Sequence, residues 1–193
     1  MAASVVLGSD GNKRCAWCVG NELYELYHDR EWGRPQKDER AIFEKLCLEG
    51  FQAGLSWLTI LKKREAFRQA FRGFEPEIVA NFTSRDIQRL MKNEGIVRNR
   101  AKIESAINNA KMLKVMHEKD ESLSKLVWSH AAIRKSSPRA LSQLKAVTPE
   151  SIALSKELKK RGFSFVGPTT LYAAMQSLGV VNDHVVGCHR APS

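Results

Sequence analysis

Apolar side chains recur at the spacing of an amphipathic helix through most of this chain. The first such run follows Asp38, whose side chain can cap a helix start. Along the segment ERAIFEKLCLEG one stripe carries four apolar residues, Ile42, Phe43, Leu46 and Cys47. We expect Gly50 to end this helix or to kink it, because glycine disfavours a helix interior.

Further helices are predicted by the same spacing and by capping residues. The second has an inner face of Leu55, Leu58, Leu61, Phe67, Ala70 and Phe71. Thr83 and Asp86 have the form of a capping box, which starts a short helix ending near Asn93. Asn99 can cap the next helix, whose inner face is Ile103, Ala106, Ile107, Ala110 and Leu113.

The last third of the chain contains two more predicted helices. Thr148 followed by Pro149 places a cap residue before a proline at the first helical position. A final helix is predicted from Thr169 to Ser177, and residues 130–147 are expected to form a loop or a weakly ordered connection. Because no alternation typical of strands is present, the predicted fold class is all-α.

Composition narrows the range of partners. The chain has 193 residues, of which 43% are hydrophobic and 27% charged, as in a globular domain. Lys and Arg number 31 against 21 Asp and Glu, which gives a formal net charge of +10. This excess favours a polyanionic partner, nucleic acid ahead of a membrane surface. The alternative is a basic protein that its charge keeps in solution.

Two features of the sequence indicate the cellular compartment, the lack of a recognisable targeting segment and the small number of cysteines. No stretch is long and apolar enough to cross a membrane, and the start MAASVVLGSDGNKR lacks the features of a secretory signal. Four cysteines in a chain of this size do not make a disulfide scaffold. We therefore expect one domain over residues 1–193, located in the reducing cytoplasm and without a membrane partner.

Residues near the two ends of the chain form the most specific local pattern, two cysteines and two histidines: Cys15, His28, His184 and Cys188. Two thiolates and two imidazoles can build a closed tetrahedral zinc site that ties the termini together. Spacing leaves other ligand sets open, because Cys18 and His189 also lie nearby. The plainer alternative is a set of unrelated surface histidines and buried cysteines.

Residues 90–103, within the segment LMKNEGIVRNRAKI, match a helix-hairpin-helix motif, in which backbone N–H groups hold a DNA phosphate. Gly95 permits the tight turn and Ile96 faces the core, while Val97 stands where the motif usually has a second glycine. Positive charge around the phosphate would come from Arg98, Arg100 and Lys102. The alternative is an ordinary turn between two helices.

Glu49 occupies a position where the helical pattern expects a core residue, because it shares a face with Ile42 and Leu46. It also lies near a helix C-terminus, where the helix dipole disfavours a negative charge. A buried carboxylate in such a place commonly has a function. The alternative is a side chain that swings to solvent or pairs with a lysine.

Aromatic residues near Glu49 in sequence are candidates to stack on a flat base: Tyr24, Tyr27, Trp32 and Trp57. Each of them, taken alone, is an ordinary core residue. Their clustering beside an inward carboxylate indicates a base pocket.

Six segments resemble, in the same order, the 3-methyladenine-DNA glycosylase I family, also called Tag. They are RCAW, ELYHDREWG, CLEGFQAGLSWLTILKKRE, GIVRNRAKIESAINNA, LSKELKKRGFSFVGPTT and NDHVVGC. The resemblance runs from about Lys13 to Cys188, which is nearly the whole chain. It implies a helix-hairpin-helix glycosylase fold of two helical subdomains, with the active site in the cleft between them. It also implies one structural zinc per chain on Cys15, His28, His184 and Cys188, rather than on Cys18 or His189.

The resemblance further implies roles around an extruded base. Family precedent puts Glu49 and Tyr27 in contact with the base, and Trp57 and Trp17 against its faces. Together with neighbouring candidates, the expected substrate-binding residues are Tyr27, Trp17, Trp57, Tyr24, Trp32 and Gln52. Gly54 and Leu55 fall in the loop that, in the family, approaches the gap left in the duplex.

The function implied is base-excision repair. A monomer would hydrolyse the N-glycosidic bond of 3-methyladenine in alkylated double-stranded DNA and release the free base. Related glycosylases with broad activity place an Asp after the hairpin helix, and residues 95–119 contain none, so a narrow substrate range is expected. Two rival hypotheses are a zinc-pinned DNA-binding protein without activity and a helical protein-interaction domain.

Overall fold

The computed structural model describes residues 3–131 and 136–192. Over these ranges the chain is mainly helical, as predicted. The helices are α1 (Glu22–Arg30), α2 (Glu39–Gln52), α3 (Trp57–Ala70), α4 (Pro76–Val79), α5 (Ser84–Lys92), α6 (Arg100–His117), α7 (Leu123–Ser129), α8 (Pro149–Lys160) and α9 (Pro168–Ser177). In this described part, no helix combines the length and the hydropathy that crossing a membrane requires.

Predicted capping residues begin four of these helices, α2, α5, α6 and α8. Asp38, Asn99 and Thr148 each accept a backbone N–H from the first turn. At α5 the Asp86 carboxylate accepts the backbone N–H of Thr83 at 2.9 Å. These contacts satisfy donors that a helix start leaves free, which is why local sequence locates them well.

Gly50 neither ends nor kinks α2, so that prediction is wrong. The helix continues to Gln52, and a Cβ on Gly50 would lie 3.5 Å from the Cβ of Phe165. The chain leaves the helical direction at Ala53, whose ψ is 116°, and turns at Gly54, whose φ of +82° is left-handed. Glycine adopts this conformation without steric cost, and the loop that it forms leads directly into α3.

The expectation of no strand is wrong for the first residues. Strand β1 (Val5–Leu7) pairs antiparallel with β2 (Lys13–Cys15), with Val5 opposite Cys15. Strands of three residues are too short to show an alternating pattern. The hairpin places Cys15 at its buried end.

Three helices, α1, α4 and α7, lie outside the segments that the hydrophobic pattern predicts. Helix α9 begins one residue earlier than expected, at Pro168. Of the predicted connection 130–147, residues 136–147 are irregular apart from a 3-10 turn at Leu141–Gln143. Residues 132–135 of that segment lie outside the described residues.

Buried apolar side chains form two clusters. The larger includes α2, α3, α6, α8 and α9 and contains six buried phenylalanines, Phe43, Phe51, Phe67, Phe71, Phe74 and Phe163. The smaller joins the two ends of the chain through Cys15, Tyr27, Trp32, Leu61, Val185 and Cys188. Trp57 packs against both clusters, so the start of α3 lies where they meet.

Candidate active site and metal site

An aromatic pocket of about 230 Å³ lies between α1, α2, α3 and α9. The structure brings together in its wall every residue that the sequence assigns to the base: Trp17, Tyr24, Tyr27, Trp32, Glu49, Gln52 and Trp57. Three further lining residues, Leu144, Ala173 and Gln176, are absent from the sequence-based set. They come from the distant loop before α8 and from α9, so no local pattern near Glu49 signals them.

Neighbouring rings hold one another in the pocket wall. Trp17 meets Trp32 edge-on at a centroid distance of 5.1 Å and Tyr24 at 5.5 Å. The Tyr24 hydroxyl accepts the backbone N–H of Leu58 at 2.9 Å, which ties α1 to the first turn of α3. Edge-to-face contacts and this hydrogen bond restrict the ring orientations before any ligand arrives.

Glu49 is buried in this wall, with only 4% of the residue exposed. Among the described residues, no donor makes a hydrogen bond to its carboxylate. Burial raises the pKa of Glu49 above the usual carboxyl range, and the positive charge of Lys45 partly opposes that rise. A buried acceptor without a protein partner is costly unless a ligand supplies the donor.

Trp57 also has a polar group without a partner. Its indole Nε1 is buried and makes no hydrogen bond within the described part of the chain. The pocket wall therefore contains a carboxylate without a donor on α2 and a tryptophan with a buried, unpaired N–H on α3. Few polar groups in a mostly apolar concavity are typical of a small-molecule site.

Lys45 is a buried charge near this pocket that the sequence analysis leaves out. Its ammonium lies 4.3 Å from the Trp57 ring centroid and donates to the Tyr27 hydroxyl at 3.4 Å. Burial lowers the pKa of Lys45. Helical spacing carries the signal, because Lys45 lies one turn before Glu49 and shares its face.

The two ends of the chain bring four potential metal ligands together: Cys15, His28, His184 and Cys188. All four are buried, and their ligand atoms lie within 4.8 Å of one another. His28 Nε2 is 3.1 Å from His184 Nδ1 and 3.4 Å from the Cys188 sulfur. This group could hold a metal ion.

Hydrogen bonds orient both imidazoles toward the centre of this group. His28 Nδ1 lies 2.8 Å from the Asp29 carboxylate, and His184 Nε2 lies 3.0 Å from the Trp32 carbonyl oxygen. Each ring is thereby left with its other nitrogen facing the two sulfurs. Partners of this kind set the tautomer and orientation of metal-binding histidines, so the donor set fits a metal.

Cys18 and His189 are not part of the group. The Cys18 thiol donates to the Cys15 carbonyl at 3.2 Å, and burial raises its pKa to about 12. His189 contacts the Lys13 carbonyl through Nδ1, at 2.9 Å, and Asp29 through Nε2. The ligand set implied by the family resemblance is therefore the set that the fold assembles.

A buried arginine connects the four potential metal ligands to the β-hairpin. Arg14, on β2, donates to Asp29 through Nη2 at 2.7 Å and to Asp10 through Nη1 at 2.7 Å. Asp29 in turn contacts His28, so its carboxylate joins β2 to α1. Arg14 lowers the pKa of Asp29, against the effect of burial, and this keeps the carboxylate charged beside the imidazole.

The segment between α5 and α6 forms the predicted turn, although Gly95 serves it differently than expected. Its φ is not left-handed; a Cβ there would lie 2.9 Å from the Cβ of Ala66, so close packing on α3 is what requires glycine. Ile96 is buried, as predicted. The backbone N–H groups of Val97 and Arg98 have no hydrogen-bond partner in the described chain.

The basic residues around this turn divide into two kinds. Arg98 and Arg100 are exposed and make ion pairs one helical turn away, with Glu94 at 3.4 Å and Glu104 at 3.2 Å. Lys102 instead donates to the Phe51 carbonyl at 2.9 Å and to that of Ala53. Its ammonium thus holds the end of α2, and its contribution of positive charge around a phosphate stays a prediction.

The loop between α2 and α3 begins directly after the backbone carbonyls that Lys102 contacts. Gly54 has open space around it, and Leu55 is exposed over 42% of its surface. Leu55 thus lies at the surface of the loop between Gln52 and Trp57, two residues that line the aromatic pocket.

Comparisons with known proteins identify the family. The model of the methyladenine glycosylase family matches residues 17–191. The chain belongs to the methyladenine glycosylase family. It is 48% identical over 178 residues to the DNA-3-methyladenine glycosylase of Haemophilus influenzae, covering 91% of this chain and 96% of that protein. The chain is therefore a hydrolase of N-glycosyl bonds, the enzyme class of this family.

Solved structures of the family have the same fold. A crystal structure of 3-methyladenine DNA glycosylase I matches with a TM-score of 0.90 at 46% identity, over 93% of this chain and all (100%) of that one. A second match, at 40% identity and a TM-score of 0.86, is a Staphylococcus aureus glycosylase structure concerned with 3-methyladenine recognition; it covers 93% of this chain and 97% of that chain. The family resemblance drawn from the sequence is thus confirmed.

Proposed function

We propose that this protein hydrolyses the N-glycosidic bond of 3-methyladenine in alkylated double-stranded DNA. The observation that carries the proposal is the unpaired, buried carboxylate of Glu49 in an aromatic pocket, in a chain of the methyladenine glycosylase family. Relatives that cover nearly the whole chain are named for this activity.

The pocket is suited to a base that has left the duplex. Chemistry on a stacked base requires the nucleotide to rotate out of the helix, at a cost of about a few kcal/mol. Stacking on aromatic faces returns about 1–3 kcal/mol per base. In this proposal Trp57 and Trp17 lie against the base, with Tyr24, Tyr27, Trp32 and Gln52 completing the wall.

Glu49 acts as an electrostatic partner and not as a proton donor. Methylation at N3 makes the attached adenine a cation, which leaves the sugar as a neutral molecule. Much of the barrier is thereby removed by the damage, and a carboxylate in a dry pocket selects the positive base. Water then attacks the oxocarbenium-like sugar.

DNA is held by the turn between α5 and α6, acting as a helix-hairpin-helix. The free N–H groups of Val97 and Arg98 would grip a phosphate, and the exposed Arg98 and Arg100 would add charge. Leu55, exposed beside the pocket, would fill the gap left by the base. The pocket then marks the cleft between two helical subdomains that correspond to the two buried clusters.

The metal is zinc, and its role is structural. Cys15, His28, His184 and Cys188 offer the two sulfur and two nitrogen donors that tetrahedral zinc prefers, with no position left for a reacting water. When bound, the metal supplies a cross-link between the chain ends. We place the enzyme in the cytoplasm, as a monomer, where chromosomal DNA is its partner.

Release of free base from methylated DNA tests the function. Purified protein is incubated with duplex DNA treated with a methylating agent, and the released bases are separated by chromatography. The protein should release free 3-methyladenine from the methylated duplex and none from an untreated duplex. Binding of both duplexes without any released base would leave only the non-enzymatic DNA-binding hypothesis.

A further inference from the structure

Lys45 places a second charge directly behind the base pocket, where the proposed reaction does not use one. The side chain leaves α2 one turn before Glu49, and both residues are buried. Its ammonium lies over the rings of Trp57, at 4.3 Å, and of Tyr27, at 4.9 Å. Two of the aromatic residues that line the base pocket therefore already hold a cation of the protein itself.

Of the carboxylates near Lys45, Glu49 is the one that no arginine of the described chain engages. Glu31 and Glu44 also face it, but both are engaged by arginines of α3: Arg64 donates to Glu31 at 2.8 Å through Nη2, and Arg68 donates to Glu44 at 2.8 Å. Arg64 itself repels the ammonium. Glu49 has no such arginine, and Lys45 is the charged group that acts on it.

We propose that Lys45 is a positioning residue, which keeps the Glu49 carboxylate ionised in the empty pocket and competes with the cationic base for it. The proposal rests on the proposed function for the identity of that base. A carboxylate enclosed by aromatic rings loses most of its hydration, and an adjacent ammonium is what compensates. Once a positive base enters, the two cations share one carboxylate, so Lys45 sets how strongly the pocket favours a charged base.

This arrangement predicts opposite effects of Lys45 in acid and in alkali. In acid, the nearby ammonium favours the ionised form of Glu49, so removing it should weaken excision. At higher pH Glu49 is ionised without help, and removing the competing cation should leave excision equal or stronger. A residue that merely supports the fold would lower activity by the same factor at every pH.

The test is the pH profile of kcat/KM for 3-methyladenine release by the variant Lys45→Met, which keeps the length and apolar stem of the side chain. Its acid limb should move up by about one pH unit or more, the effect of losing an opposite charge one helical turn away on the same buried face. Excision at pH 6 should fall roughly tenfold, and the two profiles should meet or cross at higher pH. Lys45→Arg keeps the charge and should restore the parent profile.

A matched control separates charge from position. Lys156→Met removes one positive charge from the exposed face of α8 and should leave the profile unchanged. A uniform loss with Lys45→Met, or superimposable profiles, would overturn the proposal. If the parent releases no 3-methyladenine, the proposed function fails, but the effect of Lys45 on the Glu49 carboxyl is still measurable. In that case, carbon-13 NMR of the Glu49 carboxyl, assigned with Glu49→Gln, should show its pKa rise by about one unit or more in Lys45→Met.

Discussion

His28 Nε2 and His184 Nδ1 lie 3.1 Å apart, although 156 positions separate the two residues in the chain. The remaining nitrogen of each ring is held by Asp29 or by the Trp32 carbonyl, so neither imidazole is free to turn away. With the sulfurs of Cys15 and Cys188 beside them, the two rings form a closed donor set between α1 and the C-terminal segment. This group of four side chains joins the two ends of the chain, which bury only a small apolar cluster between them.

Loss of a metal ligand should destabilise the fold. Purified protein should contain about one zinc per chain, and Cys15→Ser or His184→Ala should lose the metal and melt at a lower temperature, because the cross-link between the termini is gone. Atomic absorption and thermal unfolding measure both effects. Cys18→Ser is the matched control, since its thiol only donates to a carbonyl. Variants that lose zinc yet keep the parent melting temperature would contradict the structural role.

Glu49→Gln should keep the pocket shape and the DNA affinity but reduce excision by roughly 10²-fold, the scale of one aligned electrostatic contact. Burial raises the pKa of Glu49, so protonation neutralises this carboxylate at a higher pH than an exposed one. Excision by the parent should therefore decline on the acid side, above the usual carboxyl range near 4.3. The variant should lack that decline. Full activity in Glu49→Gln would remove the carboxylate from the mechanism.

Trp57→Ala should weaken capture of the base by roughly 1–3 kcal/mol, because one stacking face is removed. Free 3-methyladenine should quench tryptophan fluorescence in the parent, and much less in this variant. Trp128→Phe is the control, since that indole lies on α7 and donates to the Gln36 carbonyl. A quench unchanged by Trp57→Ala would make Trp57 a residue of the core alone.

Neutralising the hairpin arginines should weaken DNA binding without changing sequence preference. Arg98→Gln or Arg100→Gln should reduce affinity for all duplexes alike and lower the salt slope by up to about one for each phosphate that the variant no longer neutralises. Both side chains make only exposed ion pairs, so stability should hardly change. Titrations over a range of salt concentrations measure the slope. A reduction confined to particular sequences would indicate base reading instead.

The range of substrates should be narrow. Glu49 is the one carboxylate among the described residues that line the pocket, and it favours a base that is already positive. Asp120, the first aspartate after the hairpin, is exposed beyond the far end of α6, about 27 Å along the helix from its start. We expect release of 3-methyladenine, weak release of 3-methylguanine, and negligible release of hypoxanthine or uracil from the corresponding duplexes. Hypoxanthine release at a comparable rate would reveal a catalytic acid or base elsewhere.

Features that depend on contacts between residues close together in the chain could be predicted from the amino-acid sequence alone. The caps at Asp38, Asn99 and Thr148 were predictable because they depend on contacts within one helical turn. The inward direction of Glu49 followed from helical spacing alone, and its burial confirms it. The family resemblance supplied what spacing could not, the choice of His184 over His189 beside the cysteines.

Tertiary packing decided the features that depend on distant segments. The same spacing that directs Glu49 inward also directs Lys45 inward, but a lysine is expected in solvent, and only the rings of Tyr27 and Trp57 packed over it make it buried. Lys102 reaches the carbonyls that end α2 because α6 packs beside that helix. Helical periodicity repeats over a few residues, whereas hydration, pKa and pocket shape depend on every helix packed around a group. The ionisation of Glu49 and Lys45 therefore depends on the tertiary structure and cannot be predicted from helical spacing.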